Sequence, residues 1–246
     1  MLMRSKIIFL LVVMILGFLY GLFIDARYYA EHATRPDLVL EYQRAVITEA
    51  IFISVILPVG VGRIMISIIG ASLLAREFEA NTMSTLGTLP IRREEILLGK
   101  FLALVLICFI IALFYGLGAC LICFLTLGLP SFDIIVSAIS FIFLVCLLFA
   151  SFSIFASSLF KNSVIAIFTV LGLIYLSDFL TEFLTKPLGF EKFMLKYYLW
   201  VLHEYLFSPK DVGQSYPPFY VSVSIPLVAI MGFLMLSMVV FRLRDI

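Results

Sequence analysis

Residues Leu73 to Lys100 read LLAREFEANTMSTLGTLPIRREEILLGK. Arg76, Glu77, Glu79, Arg92, Arg93, Glu94, Glu95 and Lys100 all fall inside this stretch. Apolar segments run directly up to both of its ends, each long enough to cross a bilayer at about 20 residues per span. In so apolar a chain, a long mixed-charge run in that position is a handle held outside the membrane. The remainder reads as membrane helices built around it.

Composition agrees. The 246 residues are 63% hydrophobic and 13% charged, with a mean hydropathy of +1.18. Soluble domains lie nearer about half apolar and about a quarter charged. The apolar runs are continuous, whereas a membrane β-barrel requires short alternating segments, so the class is a polytopic all-α membrane protein. A net charge of +1 gives no field for nucleic acid. Cys108, Cys120, Cys123 and Cys146 all lie in apolar runs. Cys120 and Cys123 have redox-motif spacing, but no His or second pair accompanies them, so they read as small lipid- or helix-facing residues.

The pattern predicts one transmembrane domain, 1–246, with spans over 7–24, 49–74, 101–124, 134–155, 164–184 and 221–241. Arg4 and Lys6 before the first apolar run also fit a secretory signal, but no small-x-small cleavage site follows, which favours a retained helix. Thr34-Arg35-Pro36-Asp37 has the form of a helix start, with Pro in the first turn and an acid near the positive end. Pro58-Val59-Gly60-Val61-Gly62 predicts a kink or break within the second span. Ser137, Ser140, Ser151 and Ser153 in the fourth span read as packing residues.

Basic residues set the orientation. Arg4, Lys6, Arg76, Arg92, Arg93, Lys100, Lys161, Arg242 and Arg244 crowd the span ends on one side, which is therefore expected to be cytoplasmic together with both termini. The segment 75–100 is then cytoplasmic and 185–220 external. The external segment is rich in Tyr, Phe and Trp, which favour the headgroup level, so it is expected to lie in the outer interface. His203 next to Glu204 does not make a metal site when His32 is the only other histidine.

Two groups of residues are candidates for function. Within the handle, Pro90 followed by Arg92, Arg93, Glu94 and Glu95 reads as a helix start with acids at its positive end. A plain solvated loop would satisfy the positive-inside rule. The handle is nevertheless much longer than the other internal loop, Ser157–Ser163, which favours a docking element with apolar Met83, Leu86 and Leu89 for a partner. The second group is Arg63 in the second span with Asp178 and Glu182 in the fifth. The two acids are one turn apart and share a face, and charges at such depth face a bundle interior or water. Asp178 lies roughly 20 Å along its helix from the inner end. Arg63 lies about as far from Glu49, so a direct Arg63–Asp178 pair requires the break to shift the helix.

The handle resembles that of the ABC-2 type transporter permeases. The matching residues are Arg76-Glu77-Phe78-Glu79-Ala80-Asn81-Thr82, then Leu86, then Leu89-Pro90-Ile91-Arg92-Arg93-Glu94-Glu95-Ile96, then Leu98-Gly99-Lys100-Phe101. Asn81 stands where that family usually has Gly, and Asn also tolerates turn geometry. The six-span layout, the Ser157–Ser163 loop and the basic carboxy-terminal end fit as well.

The resemblance implies a type V exporter-like transmembrane domain in the plasma membrane, working as a homo- or heterodimer of permeases on cytoplasmic ATPase subunits. It makes Glu77, Glu79, Asn81, Thr82, Leu86, Pro90, Arg92, Arg93 and Glu94 the ATPase-docking residues, and Arg63, Asp178 and Glu182 substrate-path residues. The phosphate-cradling pattern GxxxxGK[ST] is absent, since Gly99-Lys100 is followed by Phe101 and preceded at the required position by Glu94. ATP and Mg are accordingly expected on the partner, with no cofactor and no catalytic residue in this chain. The rival readings are a membrane scaffold that holds a cytoplasmic partner by the handle and an intramembrane enzyme. The enzyme is disfavoured by the lack of an embedded catalytic pair.

Overall fold

The computed structural model describes residues 23–24, 26–28, 36–51, 61–80, 93–180, 183, 195–207 and 216–243. Their regular elements are all helical: α1 (Pro36–Ile51), α2 (Val61–Glu79), α3 (Arg93–Leu127), α4 (Phe132–Leu159), α5 (Ser163–Phe179), α6 (Leu195–Phe207) and α7 (Phe219–Leu243). The first predicted span, 7–24, falls almost wholly outside the described residues, as do 52–60, where the break before Val61 is expected.

Small residues decide which apolar helix takes the centre, because they let neighbours approach on several sides at once. That helix is α4, which packs against α2, α3 and α7 and also touches α1, α5 and α6. Half of its most apolar window is buried (50%), against 28% for α3 and 22% for α7. Toward α2 the contact is close enough that a Cβ on Gly70 would stand 2.7 Å from Ser153 Cβ, a distance at which something must move. One turn further along, the Leu74 and Ala75 amides both donate to Ser157 Oγ at 3.0 Å. Ser151 and Ser153 donate to the Leu148 and Phe149 carbonyls of their own helix, at 2.8 and 2.6 Å. Their hydroxyls are thus satisfied without polar partners in the bundle.

Helix length sorts the elements against a bilayer core of about 30 Å. At 35 residues, α3 is about 50 Å long and extends well past that thickness, beginning with Arg93 and the exposed Glu94 and Glu95. The helices α3, α4 and α7 are each long and apolar enough to cross, whereas α5 has 17 residues. Leu180 caps α5, its amide donating to the Leu176 and Ser177 carbonyls. The α3–α4 turn uses Gly128 at φ 94°, a left-handed conformation open to a residue without Cβ. Gln43 of α1 closes this end by donating from Nε2 toward the Leu127, Gly128 and Leu129 carbonyls at 3.3–3.4 Å. These are carbonyls that the end of α3 leaves without helical partners.

Candidate functional site

Pairing α2 with α5 brings the deep charges together. Arg63 sits in the first turn of α2 and Asp178 in the last turn of α5, with 4% and 6% of their surfaces exposed. Arg63 Nη2 donates to Asp178 Oδ2. The guanidinium also lies over the Phe149 ring of α4, 5.1 Å from its centroid. Lys196 of α6 reaches the other oxygen of the same carboxylate, with Nζ 3.3 Å from Oδ1. Counting depth along one continuous helix from Glu49 puts Arg63 too deep for this pair. In the structure Arg63 nevertheless stands level with the far end of the antiparallel α5.

Arg63 and Asp178 line a cavity of about 240 Å³. Most of the remaining lining is apolar: Leu148, Phe149 and Phe152 of α4 face it, with Leu173 and Ile174 of α5 and Phe233 of α7. Ser177 also lines it, but its hydroxyl donates to the Ile174 carbonyl at 2.7 Å. Leu173 and Ser177 are exposed, so the cavity is reached from the surface. Leu195, Lys196 and Leu199 of α6 also line it, with Lys196 beside Asp178.

At its other end α2 carries the start of the handle. Glu77 pairs with Lys100 of α3, so the two ends of the 81–92 segment are tied to each other. Glu79 accepts from the Ser163 hydroxyl at 2.7 Å and from the Ser163 amide at 3.3 Å, at the start of α5. Asn162 caps the same helix by accepting from the Val164 and Ile165 amides at 2.9 and 3.3 Å. The Ser163 hydroxyl and then its amide hold the Glu79 carboxyl below its ordinary 4.5; burial opposes them less strongly, and nearby Arg76 adds the smallest lowering.

Of the residues singled out in the sequence, Arg63 and Asp178 meet, Glu77 and Glu79 make contacts within the chain, and Glu94 is exposed on the first turn of α3. The backbone of Arg93 opens α3. Asn81, Thr82, Leu86, Pro90, Arg92 and Glu182 lie outside the described residues. Lys196, Ser163 and Gln43 were not foreseen as partners, since nothing in their local pattern points across the bundle. His203 is buried against the rings of Phe141 and Phe207, at 5.8 and 5.3 Å, beside the Thr48 backbone. Burial lowers its pKa to about 4, so near neutrality it is an uncharged ring in an aromatic cluster.

A family model described as ABC-2 family transporter protein matches residues 1–246. No curated protein matches the chain.

Proposed function

The chain belongs to the ABC-2 transporter family, a family of membrane-embedded transport subunits that associate with ABC ATPases, and on that premise we propose that it is the permease of an ATP-driven exporter. In this reading it has six spans in a type V-like arrangement, lies in the plasma membrane and keeps both termini in the cytoplasm. It works as a dimer, with itself or a similar permease, on two ATPase subunits that bind ATP and Mg.

The observation that carries the proposal is the placement of α2. This single helix runs from the handle at Glu77 and Glu79 to the charged cavity at Arg63, a rise of roughly 20 Å between Arg63 and Glu77. Glu77 and Glu79 fasten the base of the handle to α3 and α5. Asn81, Thr82, Leu86, Pro90, Arg92, Arg93 and Glu94 are then the surface that receives the ATPase. Closure of the ATPase subunits on nucleotide displaces this surface, α2 tilts as a rod, and the path beside Arg63, Asp178 and Glu182 opens or closes.

Charge reversal at Arg92 and Arg93 is expected to abolish co-purification of the ATPase; unchanged association would count against the docking role. Neutralising Asp178 should stop transport in a complex that still assembles. Retained transport would remove Asp178 from the path. A scaffold would hold the ATPase without altering its turnover, so turnover with and without this subunit separates the two functions.

A further inference from the structure

We propose that the first turns of α6, residues 195–199, are a gate on the cavity, latched by Lys196 on Asp178 and hinged at Trp200. This concerns access to the cavity, goes beyond the transport reading and does not depend on it.

The two ends of α6 are held in different ways. From Trp200 onward its side chains are tied to neighbouring elements. Trp200 meets Tyr216 edge to face, with ring centroids 5.5 Å apart. Tyr205 donates from Oη to the Pro217 carbonyl at 3.0 Å, and its ring lies 5.8 Å from that of Phe219 at the start of α7. His203 and Phe207 rest on Phe141 of α4. Before Trp200 the helix borders the cavity instead, through Leu195, Lys196 and Leu199. A segment facing a void has no packed atoms on that side to hold it, so it is the part of α6 that can move at least cost.

The latch can open without stranding a charge. Asp178 holds two cations, Arg63 at one oxygen and Lys196 at the other. The Arg63 side chain keeps 4% of its surface exposed and that of Lys196 keeps 26%. When Lys196 turns away, the buried carboxylate still has Arg63, and the ammonium is already partly in water. The same carboxylate thus has one fixed partner, on α2, and one releasable partner, on the gate.

Residue-resolved hydrogen exchange of the full chain in phosphatidylcholine nanodiscs reads the gate, because the amides of 199–201 bond back to the carbonyls of 195–197. Lys196→Met is expected to raise exchange at 199–201 about fivefold, the size of one partly exposed charged contact, while 204–207 keep their rates. Lys196→Arg should stay near the natural rate, and Lys196→Glu should exceed Lys196→Met because it faces a carboxylate. In an Asp178→Asn background, Lys196→Met should add little. Should that background fail to fold, the order Arg, Met, Glu decides. A cysteine inside the cavity reads access: Leu148 lines it and is 3% exposed, and the four native cysteines are buried. Maleimide labelling of Leu148→Cys should rise with Lys196→Met and not with Lys196→Arg. Equal exchange at 199–201 across the series, a rise shared by 204–207, or an undiminished effect of Lys196→Met beside Asp178→Asn would overturn the gate. Labelling that stays constant while exchange rises would overturn it as well, since the helix end would then fray without opening the cavity.

Discussion

The antiparallel pair of α2 and α5 is tied at both ends, and the two ties differ in kind. At one end Arg63 and Asp178 meet with almost no exposed surface, beneath an aromatic ring and beside a second cation. At the other, an exposed Glu79 accepts from Ser163, and the neighbouring Glu77–Lys100 pair keeps 27% and 20% of its side-chain surface accessible. Charges out of water hold each other strongly because losing one partner strands the other. Charges that keep part of their surface in water exchange their partner for water at less cost. The dry tie therefore fixes where α2 sits, and the wet tie leaves its handle end able to respond. In the proposed transport cycle, α2 would use this difference, with one end that resists and one that yields.

The largest effect should come from the dry end. Asp178→Ala strands Arg63 and is expected to destabilise the protein by about 3–5 kcal/mol, read as a fall in Tm on the order of 10 °C in detergent. Replacing both members with apolar residues of similar size, Arg63→Met with Asp178→Leu, should recover most of that stability, since the cost lies in the unpaired charge. The double variant is also expected to remain inactive. If it transported normally, the pair would be only a structural tie.

Between the two ends, Gly70 lets α2 lie against α4. Gly70→Ala puts a methyl 2.7 Å from Ser153 Cβ and should cost about 1–3 kcal/mol through overpacking. Ser153→Gly in the same chain removes the clashing atom, so the double variant should be more stable than Gly70→Ala alone. A purely additive result in the double-mutant cycle would mean that the helices separate there instead.

At the wet end the effects shrink and become sensitive to salt. Lys100→Gln should change stability by less than about 1 kcal/mol, and the change should fade as salt is raised from about 0.1 M to about 1 M. The loss in Asp178→Ala should persist over the same range. Equal salt responses at the two ends would erase the contrast between them.

Sequence reading reached different depths in different regions. The helices α3, α4 and α7 were legible because hydrophobic length alone identifies a span. Pro90, read as the start of α3, lies outside the described residues, while Glu94 and Glu95 stand in the first described turn of that helix. Ser151 and Ser153 read as packing residues, but their neighbour Gly70 could not be chosen, because small residues do not announce which helix they face. The Arg63–Asp178 pair is not legible from depth counted along the sequence, because it depends on how α2 and α5 lie against each other. Gln43, Lys196 and Ser163 are more than eighty, eighteen and eighty-four positions from the groups they bond. Such contacts follow from which helices lie side by side, and local pattern carries no trace of that.

The smallest effect is also the most diagnostic of the wet end. The Ser163 hydroxyl and amide donate to the ionised form of Glu79, which depresses its folded-state pKa below the ordinary 4.5. A depressed carboxyl stabilises the fold at every pH above its unfolded value, and the contribution is lost as pH falls through the lower, folded value. Glu79→Gln keeps a hydrogen-bond acceptor but has no charge to titrate. The difference in Tm between the natural chain and Glu79→Gln should thus be level at neutral pH and shrink only below about pH 4.5. In the proposed transport cycle, binding of the ATPase to the handle shifts the Glu79–Ser163 contact, so the acid-dependent difference should narrow in the complex. A difference that stayed the same with the partner bound would mean that the wet end is as fixed as the dry one, and α2 could not act as the moving part.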